Sequence, residues 1–229
     1  MSERDNIFTR IREALSVGAP PTGGGHGNAG VVPPLPAVAD RRRVMPRAGG
    51  SVDQQLAMFE RNAADLRADS RIVSGSTELV SALEALRDGE QWRRVATHRG
   101  DLARPHAALL GLPVTMTDDG VDKRELERCD VGITECDALV AQTGSVVVTS
   151  RSAGGRALSC LPPHHVVLAR REQLVPDLPA AFELLKSRYS EDYPSMISFI
   201  TGPSRTGDIE RILVLGAHGP KKLTILLLN

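Results

Sequence analysis

From about residue 51 to the end of the chain, short runs rich in Val, Ile and Leu alternate with segments of helical spacing. Strands are predicted at "RIVS", "RRVATH", "LPVTMT", "CDVGIT", "SVVVTS", "HHVVLAR", "MISFIT", "RILVLGA" and "LTILLL". Helices are predicted from Ser51, at "STELVSALEAL", at "RPHAALLG", over residues 134–142 and near 178–188. This alternation predicts an α/β domain with a largely parallel or mixed sheet. Since the last strands follow one another without helices, we expect mixed pairing at one side of the sheet.

The first 50 residues differ in composition from the rest. Between Gly18 and Pro36, 11 of 19 residues are Gly or Pro, which predicts a linker or a surface-hugging arm. It separates a short predicted helix, about residues 5–15, from a globular domain over 51–229. Ser51 is expected to cap the first helix of that domain, and Ser76 or Thr77 the next one.

Composition excludes several classes of function. The chain has 28 basic and 28 acidic residues, and its one basic stretch, 40–47, suits a solvated linker, so we expect no nucleic-acid partner. No run approaches the roughly 20 apolar residues that span a bilayer, and the charged N-terminus lacks an apolar signal segment. We therefore expect a cytoplasmic protein without a membrane span.

Three cysteines, Cys129, Cys136 and Cys160, occur without CxxC or CxxxC spacing. Iron–sulfur and structural zinc sites usually draw ligands from such close pairs, and three is an odd number for a disulfide framework. Free thiols, with no metal or cluster on this chain, are the expectation.

Candidate binding residues lie in turns that follow predicted strands or helices, because ligands of open α/β sheets bind beyond the carboxyl ends of strands. The turns are Gly75–Thr77, Thr143–Ser145, Thr201–Asp208 and His218–Pro220.

In "AQTGS", two interpretations stay open. Gly144 can be a left-handed C-cap of the predicted helix over 134–142. Alternatively, Gln142, Thr143 and the backbone amides near Gly144 donate hydrogen bonds to an anionic or carbonyl group.

In "TGPSRTGD", Ser204 or Thr206 can cap a short helix. The functional interpretation is that the turn from Gly202 binds an anion through the amides and hydroxyl groups of Ser204 and Thr206, with Arg205 clamping a carboxylate or phosphate. Asp208 would then orient Arg205 or a substrate hydroxyl group.

Histidines stand at two strand ends. His218, followed by Gly219, either hydrogen-bonds its own turn or serves as an acid or base, since its unperturbed pKa is near 6.5. His164 and His165 are adjacent strand residues that point to opposite faces, so at most one can face a given site.

The segments "GITECDALVAQTGSVVV", "LSCLPPHHVVL" and "ITGPSRTGDIERILVLGAHGPKKLTILLL" together resemble the LUD domain of the lactate utilisation protein C family over residues 51–229. The resemblance implies a Rossmann-like three-layer α/β sandwich like that of the sugar-phosphate isomerase and CoA-transferase superfamily. It also implies a role in a three-component system that oxidises L-lactate to pyruvate, in which two partner proteins hold the iron–sulfur clusters.

Two positions depart from the family pattern. The family commonly has "AETGT" where this chain has "AQTGS", so that Gln142 replaces a glutamate and Ser145 a threonine. Gln cannot accept a proton as a general base, and Glu135, about two turns away on the predicted helix, would not easily substitute. The departure favours binding over proton transfer at this point.

Three functional hypotheses follow. The first is a subunit that binds a small anionic ligand or a partner in a lactate-oxidising complex. The second is a free-standing enzyme acting on a phosphorylated or CoA-linked small molecule, although the chain has no Walker-type loop and no GxGxxG after a strand. The third is a regulatory scaffold without catalysis.

Overall fold

The computed structural model describes residues 48–118, 120–206, 214–215 and 219–229. The predicted N-terminal helix and the glycine- and proline-rich arm lie outside these residues. The described helices are α1 Val52–Asp65, α2 Ser76–Glu90, α3 Ala103–Leu109, α4 Lys123–Glu127 and α5 Leu178–Tyr189. The described strands are β1 Asp69–Val73, β2 Val95–Thr97, β3 Val114–Met116, β4 Val131–Thr134, β5 Ala138–Val140, β6 Ser145–Thr149, β7 His164–Arg170, β8 Leu174–Val175, β9 Ile197–Ile200, β10 Arg205–Thr206, β11 Val214–Leu215 and β12 Lys222–Leu228.

A six-stranded parallel sheet forms the centre of the fold, in the order β1-β12-β7-β4-β2-β3. The predicted α/β class with a largely parallel sheet is confirmed. The mixed pairing expected at one side of that sheet occurs in a second sheet instead, in the order β8-β5-β6-β9. A two-stranded pair, β10-β11, completes the described strands.

Alternate residues of the strands build separate layers of the core. Helices α2 and α3 cover one face of the six-stranded sheet, where Leu83 of α2 and Val95 of β2 belong to one buried cluster. Helix α1 and the second sheet cover the other face, where Phe59 and Val146 are buried. Helix α5 packs on the far face of the second sheet, against Val147. The layers follow from the two-residue period of side chains in a strand.

Local signals explain where α1 and α5 begin. Ser51 caps α1 as predicted: its Oγ accepts a hydrogen bond from the backbone N–H of Gln54 at 3.2 Å, and Gln54 bonds back to the N–H of Ser51. Asp177 caps α5 by accepting from the N–H of Ala180 at 2.9 Å. These caps satisfy amides that have no partner within the helix.

Two local predictions were wrong. Helix α2 has Gly75 at its N-cap and no side-chain cap, so neither Ser76 nor Thr77 plays that role. Residues 138–140, predicted as part of a helix, form strand β5, which is buried on both faces. A short, wholly apolar run does not distinguish a buried strand from a buried helix by periodicity. Pairing with β6 and β8 decided in favour of the strand.

Candidate functional site

A small cavity of about 190 Å³ lies beside the turn that follows β9. We call it the TGPSR cleft. It is lined by Ser159, Cys160, His165, Ser198, Ile200, Thr201, Gly202, Pro203, Ser204, Gly219, Pro220 and Leu223. Three of the predicted ligand-binding residues, Gly202, Ser204 and Gly219, are therefore brought together. The N–H of Ser204 donates to the carbonyl of Pro220 at 2.9 Å, which ties the two glycine-containing turns to each other.

The C-terminal end of α1 contacts the "AQTGS" turn. The side-chain amide of Asn62 donates to the carbonyl oxygens of Ala141 and Gln142, at 2.9 Å each. Gly144 has φ +64°, and a Cβ there would lie 2.6 Å from the backbone nitrogen of Ala63. The left-handed conformation predicted for Gly144 is present, but it belongs to the turn between β5 and β6 and not to a helix C-terminus.

Hydroxyl groups connect the same two turns. Oγ of Ser145 donates to Oγ1 of Thr143 at 2.7 Å and lies 2.8 Å from Oγ1 of Thr201. The described hydroxyl groups of "AQTGS" and the first residue of "TGPSR" therefore bond to each other within the fold. Thr143 and Ser145 are thereby oriented by neighbouring side chains before any ligand is present.

Arg205, proposed from the sequence as an anion clamp, has a structural contact. Its Nη2 donates to the carbonyl oxygen of Leu66 at 2.9 Å, just beyond the end of α1. Gly202 lies against the same carbonyl, since a Cβ on it would be 2.6 Å away. Thr206 belongs to β10, whereas Asp208 and His218 lie outside the described residues. Anion binding by Arg205 therefore stays a prediction.

The two adjacent histidines point apart, as predicted. Nε2 of His164 lies 2.9 Å from Oγ1 of Thr224, and its ring packs edge-on against Trp92. Nε2 of His165 lies 2.8 Å from Oγ1 of Thr134, on the face that lines the TGPSR cleft. Burial lowers the pKa of His164 to about 4 and that of His165 to about 3, so both rings are neutral at pH 7.

A larger cleft, of about 420 Å³, lies at the carboxyl ends of β2 and β4. We call it the carboxyl-end cleft. Its lining residues are His98, Arg99, Gly100, Asp101, Asp118, Glu135, Cys136, Asp137, Arg151, Ser152, Gln173, Arg188 and Tyr189. Strands β2 and β4 are neighbours, yet the chain after β2 enters α3 on one face and the chain after β4 enters β5 on the other. A parallel sheet opens a ligand crevice at such a switch point.

A buried carboxylate forms part of this cleft. Asp137 has 1% exposure, and its Oδ1 accepts hydrogen bonds from Nη1 of Arg188 at 2.7 Å and from Oη of Tyr189 at 2.6 Å. Among the described residues, no donor reaches its other oxygen, Oδ2. The ion pair with Asp137 raises the pKa of Arg188 even though burial opposes this. Asp137 is thus a carboxylate with one satisfied and one unsatisfied oxygen.

His98 and Glu135 also line the cleft. Nε2 of His98 accepts from the backbone N–H of Glu135 at 3.2 Å, which leaves the ring proton on Nδ1. Oε1 of Glu135 accepts from the N–H groups of Leu102 and Ala103, at 2.8 and 3.0 Å, at the start of α3. Burial lowers the pKa of His98, although the nearby carboxylates Glu135 and Asp118 oppose this.

Arg151 contributes a cationic group beside Tyr189. Its guanidinium carbon lies 5.4 Å from the centre of the Tyr189 ring, and Nη2 pairs with the carboxylate of Asp192. Half of the Arg151 side chain is exposed, and so is most of that of Asp192. Oδ2 of Asp118, on the β3 side, accepts from the N–H of Arg99 at 2.7 Å. The cleft therefore combines guanidinium and carboxylate groups.

The sequence prediction missed this cleft. Its signals were "HRGD" directly after the buried strand β2 and "ECD" directly after the buried strand β4. Assigning residues 134–142 to a helix hid the second signal, because Asp137 then had no place at a strand end. Glu135, considered only as a substitute for the family glutamate at Gln142, belongs to the carboxyl-end cleft instead.

Two further features of the described residues concern metal binding and membrane crossing. In the described ranges, no group of three or more His, Cys, Asp or Glu side chains is arranged to hold a metal ion. The helices of the described residues are also too short or too polar for any of them to cross a membrane.

Comparison with known proteins points to one family. The model of the LUD domain family matches residues 56–228. Lactate utilization protein C of Geobacillus kaustophilus is 30% identical over 197 residues, which cover 76% of this chain and 78% of that protein. Lactate utilization protein C of Anoxybacillus flavithermus is 38% identical over 103 residues, and that of Bacillus subtilis 34% over 108 residues.

The lengths of these matches differ. The alignments cover 45% and 46% of this chain for the Anoxybacillus and Bacillus proteins, and 46% and 45% of those proteins. The chain therefore spans about half the length of these two curated relatives. Among solved structures, a DUF162 family protein from Deinococcus radiodurans has a TM-score of 0.63 and 24% identity. The match covers 79% of this chain and 100% of that one, which supports the fold.

Proposed function

The chain belongs to the LUD domain family, and we propose that it takes part in lactate utilisation as a ligand- or partner-binding component of a system that oxidises L-lactate to pyruvate. The observation that carries the proposal is the family match over residues 56–228, which includes nearly the whole described domain. The names of the relatives, lactate utilization protein C, are the reason for proposing lactate utilisation as the process.

The geometry supports ligand binding by this chain. The carboxyl-end cleft lies where a parallel α/β sheet offers a crevice, and it presents guanidinium groups from Arg151 and Arg188. A guanidinium binds a carboxylate through two parallel hydrogen bonds. A small carboxylic acid such as L-lactate therefore matches both the cleft and the process.

Electron transfer is assigned, in this proposal, to two partner proteins that hold iron–sulfur clusters. The cysteines of this chain support that division. Cys129 and Cys136 are buried, and burial raises the pKa of both thiols, whereas a cluster binds thiolates. A cytoplasmic location is also part of the proposal, since free thiols suit a reducing compartment.

Deletion of the gene in its own host tests the proposal. We expect growth on L-lactate as sole carbon source to be lost and growth on pyruvate to be kept, with growth on L-lactate restored by the wild-type gene. The tagged chain, purified from lactate-grown cells, should bring down two proteins that contain iron and acid-labile sulfide. Unchanged growth of the deletion strain on L-lactate would contradict the proposal, and so would lactate-independent turnover of a phosphorylated or CoA-linked compound by the isolated chain.

A further inference from the structure

We propose that the carboxyl-end cleft binds a small 2-hydroxy carboxylate, with Asp137 accepting a hydrogen bond from the ligand's hydroxyl group and Arg151 binding its carboxylate. This inference rests on the proposed function for the size of the ligand. It assigns the binding to residues after β4 and β6, and not to the TGPSR turn that the sequence singled out.

The unsatisfied oxygen of Asp137 determines which group the ligand must offer. Oδ1 takes hydrogen bonds from Arg188 and Tyr189. Oδ2 is buried in a residue that lines the cleft, and the described part of the chain offers it no donor. A buried acceptor without a donor is costly. A ligand hydroxyl group placed there would satisfy it, whereas a carbonyl oxygen would be repelled.

Arg151 can exchange its present partner for a ligand. It pairs with Asp192, whose side chain is 80% exposed, and exposed ion pairs contribute little to stability. A ligand carboxylate could instead bind the guanidinium through two parallel hydrogen bonds. Exchanging the ion pair with Asp192 for one with a ligand therefore costs little free energy.

Tyr189 holds the two binding groups on one wall of the cleft. Its hydroxyl group bonds to Asp137, and its ring lies beneath the guanidinium of Arg151. Burial and the hydrogen bond to Asp137 raise the pKa of Tyr189, so that its hydroxyl group remains a donor. A 2-hydroxy carboxylate carries its two polar groups on adjacent carbons. From one position along this wall it can therefore bind both Asp137 and Arg151.

Two other carboxylates of the cleft, Asp118 and Glu135, already have donors. Asp118 accepts from the N–H of Arg99, and Glu135 accepts from two amides at the start of α3. A phosphate monoester, whose second pKa is near 6, is mostly a dianion at neutral pH and would bring a second negative charge to the unsatisfied oxygen of Asp137. The cleft therefore favours a ligand in which a hydrogen-bond donor stands beside a single negative charge.

The first test compares three sodium salts on the full-length protein by isothermal titration calorimetry at constant ionic strength. L-Lactate has the hydroxyl group, propionate lacks it, and pyruvate has a carbonyl oxygen in its place. We expect L-lactate to bind about tenfold or more tightly than either of the others, the size expected for one hydrogen bond to a charged group. Equal affinities, or no binding of L-lactate at millimolar concentration, would overturn the inference.

The second test is the Asp137→Asn variant. The donors of Arg188 and Tyr189 would hold the amide oxygen in the place of Oδ1, so that the NH₂ group replaces Oδ2. An N–H there suits the carbonyl oxygen of pyruvate. We expect the ratio of L-lactate to pyruvate affinity to fall about tenfold or more. Equal weakening of all three acids would show a merely structural role for Asp137 and would refute its assignment to the hydroxyl group.

Arg151→Gln keeps the test decisive if the Asp137 variant does not fold. It should weaken all three carboxylates about tenfold, the loss of one charge-assisted contact. Arg71→Gln is the matched control, because Arg71 also forms a half-exposed ion pair, with Asp69, away from the cleft. Equal binding by the Arg151 variant and the wild type would refute the carboxylate assignment.

If the deletion strain fails to grow on L-lactate while the wild-type chain shows no such binding, the inference fails and the proposed function stands.

Discussion

Oη of Tyr189 donates a hydrogen bond to Oδ1 of Asp137 at 2.6 Å and thereby joins the last turn of α5 to the residue just before β5, 52 positions earlier in the chain. The same carboxylate oxygen accepts from Arg188, so two consecutive helix residues fix one buried acid. This contact orients a wall of the carboxyl-end cleft before any ligand arrives.

Removing the hydroxyl group should destabilise the protein. We expect Tyr189→Phe to lower the free energy of unfolding by about 1–2 kcal/mol, because a buried carboxylate loses a donor. Urea unfolding followed by the fluorescence of Trp92, the single tryptophan of the chain, measures this. Tyr193→Phe is the control, since that side chain is exposed and should change stability by less than about 0.5 kcal/mol. Equal losses in the two variants would contradict the role of the hydrogen bond.

Alanine variants of two glycines, Gly144 and Gly111, distinguish the energetic cost of backbone strain from the cost of a steric clash. Gly144 has φ +64° and Gly111 has φ +67°, so alanine is equally strained at either position. A Cβ at Gly144 would lie 2.6 Å from the backbone nitrogen of Ala63, whereas no described atom lies within 4 Å of one at Gly111. We expect Gly111→Ala to cost about 1 kcal/mol. Gly144→Ala should cost a further 1–3 kcal/mol or so, because α1 must move away.

Chemical denaturation of the two glycine variants measures these costs. Equal destabilisation would show that α1 does not press against the turn between β5 and β6.

Acidification should destabilise the fold through its buried histidines. His164 and His165 have pKa values of about 4 and about 3 in the folded protein, below the value near 6.5 of an unfolded chain. The unfolded state therefore binds more protons, and stability is lost as the pH falls from 6.5 toward these values. Between pH 7 and pH 5 the loss is about 2 kcal/mol for each histidine.

Single variants separate the two contributions. His164→Asn and His165→Asn should each show a shallower dependence of unfolding free energy on pH than the wild type, measured by urea unfolding at pH 7, 6 and 5. A slope that neither variant alters would mean that other groups account for the acid sensitivity.

The three thiols should differ in reactivity. Cys160 is exposed, whereas Cys129 and Cys136 are buried with raised pKa values. We expect a disulfide reagent to modify one thiol quickly in the native protein and all three after unfolding. The fast phase should disappear in Cys160→Ser. Its persistence would place the reactive thiol elsewhere.

Much of the fold was predictable from local patterns. The capping residue Ser51 and the apolar spacing after it predicted α1, and the β-branched runs predicted strands such as β6 and β7. These signals are local because helix caps and side-chain periodicity act over a few residues. The "AQTGS" and "TGPSR" turns were also recognised from sequence. Their meeting at Asn62 and Leu66 was not, because those contacts cross more than 70 positions.

The sequence by itself determined the family, the α/β class and which segments are apolar enough to be buried. Only the tertiary structure decided that 138–140 is a strand, since pairing with β6 and β8 outweighs the local preference of three apolar residues. That pairing in turn sets Asp137 beside Tyr189 and opens a cleft between two neighbouring strands whose connections leave on opposite faces. Strand order is a property of the assembled sheet, and the position of the cleft follows from it.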